Sequence, residues 1–299
     1  LATDEWVLRR DVMMLTDAGY DFIVIDESND SFYPQSATKL LAILHEYQQQ
    51  GWRVPQVAFV TKGNSVKWMN AIYDTHYKPH PEYKDLWFLV DGKPLMIGNN
   101  RSGNSERKDV KSCFTTRWAQ WPREPNREDG FPWISFERPQ HLHGATLARS
   151  VVSVSVAQHN SSKAFSTSAF YGDPLNWTRS YHGGRNDPAP DAYLHGYNFA
   201  EQFENAMKME ADIVFVTGWN EWIARRFGHN VITKDKDYPY GGPIWFIDQA
   251  DANNSRDIQP MKGGFGDNYY LQAISLNRRY KGVSARNTGL ERAFSCANR

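Results

Sequence analysis

Seven short strand-like runs, most of them rich in apolar β-branched or aromatic residues and spaced between amphipathic stretches, constrain this 299-residue chain more than any other feature. They centre near residues 23, 57, 96, 116, 134, 154 and 214. β-branched and aromatic residues fit a pleated, covered surface, so such runs read as buried strands. Helical spacing fills the intervals. Asp4 is placed to cap a helix with Val7, Leu8, Val12 and Leu15 on one face, and Gly19 is placed to end it. Residues 36–50, closed by Gly51, and residues 65–77, 191–209 and 267–280 carry similar patterns. Asp91-Gly92 between apolar runs predicts a hairpin.

Strands alternating with helices form a parallel sheet wrapped by helices. The expected architecture is therefore α/β, a (β/α)8 TIM-type barrel, with residues 1–299 forming one domain. Seven strands are one short, and the chain opens on a helix, so the first barrel strand is expected upstream of Leu1 or is absent. A doubly wound open sheet is the alternative, disfavoured as a dinucleotide fold because no Gly-x-Gly-x-x-Gly follows an early strand. Residues 228–266 read as a loop-rich insertion, and loops of that length in a compact domain are usually functional.

Charge narrows the partners. Thirty-four basic residues balance 34 acidic ones without a basic block, so neither nucleic acid nor an anionic membrane surface is an expected partner. No apolar run approaches the ~18 residues of a membrane-spanning helix. The two cysteines, Cys113 and Cys296, form no zinc-like spacing with histidine, and neither metal nor cofactor is expected. The oxygen-rich stretch 248–257 lacks the spacing of a calcium loop and reads as solvated. The start at Leu1, without a Met or a signal pattern, reads as a cut from a longer or processed polypeptide, secreted or periplasmic.

Aromatic residues make up 14% of the chain, and many lie in polar segments such as Tyr171-Gly172-Asp173-Pro174. Aromatics in loops have few core positions to fill, whereas flat apolar faces suit sugar rings. In a parallel barrel the carboxyl ends of strands carry function. The run Asp212-Ile213-Val214-Phe215-Val216-Thr217 exits through Gly218 into Trp219-Asn220-Glu221-Trp222, a carboxylate between two indoles and beside an amide. Other strand exits offer Asp26, Glu27 and Asn29, then Lys62, then Arg117, Trp118 and Trp121, then Glu137, then His159.

Glycosidic cleavage needs two carboxyl groups across the scissile bond. Glu221 and Asp26 are the expected pair. Asp26 and Glu27 cannot both point inward if the strand continues through them. Trp219, Trp222, Trp118 and Tyr171 are candidate stacking surfaces, and Asn220, His159 and Asn29 candidate partners of sugar hydroxyls. Glu137 and Asp173 are reserve carboxylates. Bland alternatives stay open: Trp219 and Trp222 as core, Asp26 as a local cap, Asp173 as a turn residue, His159 as a structural histidine.

Thr217-Gly218-Trp219-Asn220-Glu221-Trp222 resembles the "(S/T)-x-(F/W)-N-E-W" signature of glycoside hydrolase families 99 and 71, which include the endo-α-mannosidases. Residues 11–26, a helix running through Ala18-Gly19 into an apolar strand that ends at Asp26, are similar to the opening of those barrels. The resemblance implies a (β/α)8 barrel and attack on α-linked glycans. One position departs from the pattern. A second functional Glu follows three residues after the first in those enzymes, and Ala224 stands there in this chain. Only Glu221 matches, which points to a distinct related family. The expected function is hydrolysis of an α-linked extracellular poly- or oligosaccharide; the rival is a non-catalytic, lectin-like barrel.

Overall fold

The computed structural model describes residues 2–99, 107–158, 175–221 and 252–282, and the backbone of 227–228 and 244–245. Helix α1 (Glu5–Asp17) is capped by Asp4, whose side chain accepts from the Val7 N–H at 3.2 Å. It leads into β1 (Phe22–Glu27), α2 (Pro34–Gln49), β2 (Gln56–Thr61) and α3 (Ser65–Ile72), which runs on into a π-helical turn at Tyr73–Tyr77. A hairpin of β3 (Leu89–Val90) and β4 (Lys93–Gly98) follows, with Asp91 and Gly92 both at positive φ, as its tight turn requires. Next come α4 (Lys108–Cys113), β5 (Thr115–Gln120), β6 (Gly130–Pro132) and β7 (Val151–Ser155). A small hairpin of β8 (Tyr181–His182) and β9 (Arg185–Asn186) precedes α5 (Tyr197–Lys208), β10 (Ile213–Thr217) and α6 (Asn268–Tyr280).

Strands β1, β2, β4, β5 and β6 pair in that order, all parallel, with β3 antiparallel on β4. β7 and β10 form a separate parallel pair. Side-chain alternation divides every strand between two environments. Phe22, Val24, Ala58, Val60, Leu95, Ile97, Ala119, Phe131, Val151 and Ile213 meet in one interior, so the strands curl around a shared centre. The intervening residues, Ile23, Ile25, Val57, Phe59 and Met96, pack outward against Leu41, Leu44, Met69 and Ile72 of α2 and α3. Val152 and Val154 pack likewise on Phe199, Phe203, Tyr269 and Ala273 of α5 and α6. Burial on both faces is why these strands read as continuous apolar runs. The architecture is α/β, a curled parallel half-barrel.

Two seams of the curl carry no ladder among the described residues, one between β6 and β7 and one between β1 and β10. A cavity of about 460 Å³ follows the whole length of both strands, touching residues 19–26 and 212–221. Leu8, Asp11, Val12 and Leu15 of α1 form its outer wall.

Three expectations shift. The fifth strand lies at Gly130–Pro132 instead of around 134, because β5 ends at Gln120 and the Trp133 N–H makes the last contact with it, at 3.3 Å to the Gln120 carbonyl. The helix read over 191–209 is split into a 3-10 turn, Ala192–Leu194, and α5. Gly196 makes the break at φ +65°, where a Cβ would also run into the Gln272 side chain. Helix α4 was not anticipated. Among the described residues no helix is long and apolar enough to cross a membrane.

Glu27 illustrates the cost of the outward face. Its carboxyl is fully buried, with Oε2 accepting from the Tyr33 N–H at 2.9 Å and Oε1 without a partner. Desolvation, reinforced by neighbouring Asp26, pushes it up to about 7. Because the folded state holds this proton more tightly than the unfolded chain, the stabilisation is complete below pH ~4.5 and is lost as pH rises through ~7. Glu27→Gln is expected to remove that loss, about 3 kcal/mol across the interval, in urea unfolding followed against pH. Parallel curves for the two proteins would contradict the assignment.

Candidate active site

The end of β10 is held from both sides. The Thr217 hydroxyl donates to the Trp133 carbonyl. Beyond it, the exit is gripped by a segment some forty residues later in the chain: Gly218 N–H donates to the Arg256 carbonyl (3.4 Å), Ile258 N–H to Gly218 (3.2 Å) and Gln259 N–H to Trp219 (3.0 Å). Side chains complete the clamp. Asp257, itself buried, accepts from the Glu221 N–H at 2.7 Å. Arg256 places Nη2 at 3.0 Å from Glu221 Oε2, the Arg side chain 5% exposed and the Glu side chain 30%. An adjacent guanidinium favours the ionised carboxylate.

Asn220 is fixed as well. Its Nδ2 donates to Gln259 Oε1 (3.0 Å) and to Asp11 Oδ2 (3.4 Å), while Gln259 Nε2 donates to Asp11 Oδ1 (2.8 Å). The clamp has its own support. Arg179, fully buried between the rings of Phe265 and Tyr269, donates to Ser255 Oγ and to the Asp257 carbonyl.

Asp26 shares the interior parity of Phe22 and Val24, stands exposed at the carboxyl end of β1, and accepts from the Ser28 N–H at 2.7 Å. Glu27 faces the other way. Asp26, Asn220 and Glu221 border the same cleft, together with Trp133 and Trp219. Asn29 is exposed in the turn after β1. Beside it, Asp30 turns back to accept from Asn64 and from the Trp68 indole, bonds that hold its carboxylate below the ordinary range.

Trp219 leans toward the helix layer, packing on the α5–α6 cluster with its ring 6.2 Å from that of Tyr270 and its Nε1 buried without a partner. Trp118 does not reach the mouth. Ala119 faces the interior, so its neighbour Trp118 must face outward, where the Arg127 guanidinium covers its ring at 4.3 Å. The tryptophans at the mouth are Trp121 and Trp133, stacked 4.7 Å apart at 16°. Glu137 is not brought to Glu221: it accepts from Asn126 (3.1 Å) and borders a separate cavity of about 120 Å³. His159, Tyr171, Asp173 and Trp222 lie outside the described residues.

Arg256, Asp257, Gln259 and Asp11 escaped the reading of the sequence. Asp11 left a signal, an acid on the apolar face formed by Leu8, Val12 and Leu15. The clamp residues left almost none, since their stretch is polar apart from Ile258. The described residues hold no group of His, Cys, Asp and Glu suited to a metal ion.

No family model and no curated protein matches this chain. Solved structures do. The GH99 endo-alpha-mannosidase from Bacteroides thetaiotaomicron superposes with a TM-score of 0.55 at 13% identity, over 94% of this chain and 81% of that one. A second structure of the GH99 enzyme, in complex with bis-tris-propane, gives 0.53 at 14% identity, over 94% and 86%. The chain has a GH99-like fold. That agrees with the relationship expected from the Asn220-Glu221-Trp222 signature.

Asp257→Ala should lower stability by about 1–3 kcal/mol, because it removes the acceptor of the Glu221 N–H from a buried position. Asp257→Asn, which keeps an oxygen there, should recover part of the loss. Thermal unfolding of the two variants checks this; equal melting temperatures for wild type and Asp257→Ala would dismiss the clamp.

Proposed function

We propose that this chain is a glycoside hydrolase that cleaves an α-linked extracellular poly- or oligosaccharide, with Glu221 and Asp26 as its carboxyl pair. The observation that carries the reading is that both carboxyls stand at the mouth end of their strands, Asp26 near the end of β1 and Glu221 just past β10, in a chain with a GH99-like fold. Glycosidic hydrolysis divides the work between a carboxylate and a carboxylic acid on either side of the bond. Glu221, paired with Arg256, suits the ionised role. Asp26, open to solvent on the interior face, takes the second position. Asn220, Asn29 and His159 would bind hydroxyls, and Trp222 and Tyr171 would offer faces to the sugar rings. An extracellular glycan goes with a secreted or periplasmic protein.

A second reading, a lectin-like barrel, is favoured by one feature: Glu221 already has a cationic partner, and Ala224 replaces the second Glu of the resembling enzymes. Hydrolysis of a panel of α-glycans, including mannans and sulfated fucans, separates the two. Wild type should cleave one polymer, and Glu221→Gln and Asp26→Asn should each lose about 10²–10⁴-fold in rate while still binding it. Binding without cleavage by all three proteins would select the lectin.

We also propose that the barrel closes to (β/α)8 through an eighth strand supplied by polypeptide upstream of Leu1. Support comes from the cavity's shape: it runs the full height of β1 and β10 and is walled outside by α1, the helix that would follow such a strand in a right-handed βαβ unit. In a polypeptide extended upstream with its natural sequence, amides on the facing edges of β1 and β10 should exchange with solvent far more slowly than in residues 1–299 alone. Equal exchange in both would exclude a strand there.

A further inference from the structure

Arg256 approaches Glu221 from the end of a stack. Its guanidinium carbon lies 5.0 Å over the ring of Trp133. Trp133 stacks on Trp121 at 4.7 Å and 16°, and the Lys62 ammonium sits 3.6 Å from the centre of the Trp121 ring. Parallel rings 4.7 Å apart leave no room for an ammonium between them, so Lys62 occupies the far face of Trp121. The order across the mouth is Lys62, Trp121, Trp133, Arg256, Glu221, drawn from the exits of β2, β5 and β6, the stretch 256–259, and the exit of β10. Lys62 is also tied to Glu124 at 3.5 Å.

The indoles of this stack are committed. Both faces of Trp121 are covered, and Trp133 meets Trp121 on one side and Arg256 beyond. They are therefore poorly placed as platforms for a sugar ring, the usual use of exposed tryptophan in a glycan site. Trp133 is instead anchored to the frame: its carbonyl accepts from Thr217, the last residue of β10, and its N–H donates to Gln120, the last residue of β5. A flat cation over an indole face is attracted to the ring and held in orientation. That orientation aims Nη2 of Arg256 at Glu221.

We propose that Trp133 is a positioning residue, holding the Arg256 guanidinium against Glu221, with Trp121 and Lys62 as its backing. The proposal rests on the reading of Glu221 as a catalytic carboxylate. Its electrostatic content does not need turnover. Among the described residues, the charged groups around Glu221 are Arg256 at its carboxylate, Asp257 at its N–H, Asp11 through Asn220 and Gln259, and Asp26 on the same cavity. Among the described residues Arg256 is the cation at Glu221, and moving it away raises the proton affinity of that carboxylate.

The test is the carboxyl ¹³C titration of Glu221 by NMR, assigned by its absence in Glu221→Gln. Trp133→Leu should raise the midpoint by about one pH unit, and Trp133→Phe, which keeps an aromatic face, should restore most of it. Arg256→Gln is the reference for complete loss of the cation. A raised midpoint in Arg256→Gln with none in Trp133→Leu overturns the proposal, as does no change in either. Should Trp133→Leu fail to fold, Trp121→Leu removes only the backing ring: a smaller rise supports the proposal and no rise overturns it. Glycan cleavage, measured separately, tests the hydrolase reading, so failure of one is distinct from failure of the other.

Discussion

Side-chain alternation along parallel strands is the constraint on which this molecule depends. Each strand must bury one set of residues in a common interior and the other beneath helices, and in β1 both sets are apolar until the carboxyl end is reached. There the same parity sorts polar residues. Asp26 continues the inward set of Phe22 and Val24 and emerges at the mouth, while Glu27 continues the outward set of Ile23 and Ile25 and is trapped. One residue of displacement separates a carboxylate that meets solvent from one that is held protonated toward neutral pH. Trp118 obeys the same rule beside Ala119, which takes it away from the cleft.

The second dependency is a clamp between distant segments. An irregular strand exit exposes backbone groups that need partners when buried. Residues 256–259 meet that need at 218–219 with three backbone bonds, and add Arg256 and Asp257 to Glu221 and Gln259 to Asn220. Asp11 reaches the same network from the first helix. The candidate site is thus assembled from the beginning, middle and end of the chain. Its polar groups satisfy one another, with Asp11, Arg256, Asp257 and Gln259 buried and Asn220 at the surface.

Much of the frame was legible because its signals are local. The Asp4 cap, the Asp91-Gly92 turn and six of the strands follow from residue type and spacing at their own positions. Apolar character continues through Trp133 and Ile134 and puts the fifth strand a few residues late, whereas pairing stops where β5 runs out. The apolar pattern over 191–209 is periodic and reads as one helix, and the break comes from the left-handed backbone of Gly196 at φ +65°. In the site, Glu221 and Asn220 stood out at a strand exit. Arg256 and Asp257 did not, since they sit in a stretch whose polarity suggests a solvated loop.

By itself the sequence determined the alternation of strands and helices, the parallel α/β class, and the strand exit that carries Asn220 and Glu221. These are consequences of periodicity and residue type within windows of a few residues. Tertiary structure alone decided that β1 and β10 face one another across a cavity, that Trp118 is turned away, and that a stack of two indoles and two cations ends on Glu221. Those relations join residues as many as two hundred positions apart, and no local propensity encodes them. They exist only once the strands have been packed around a common interior.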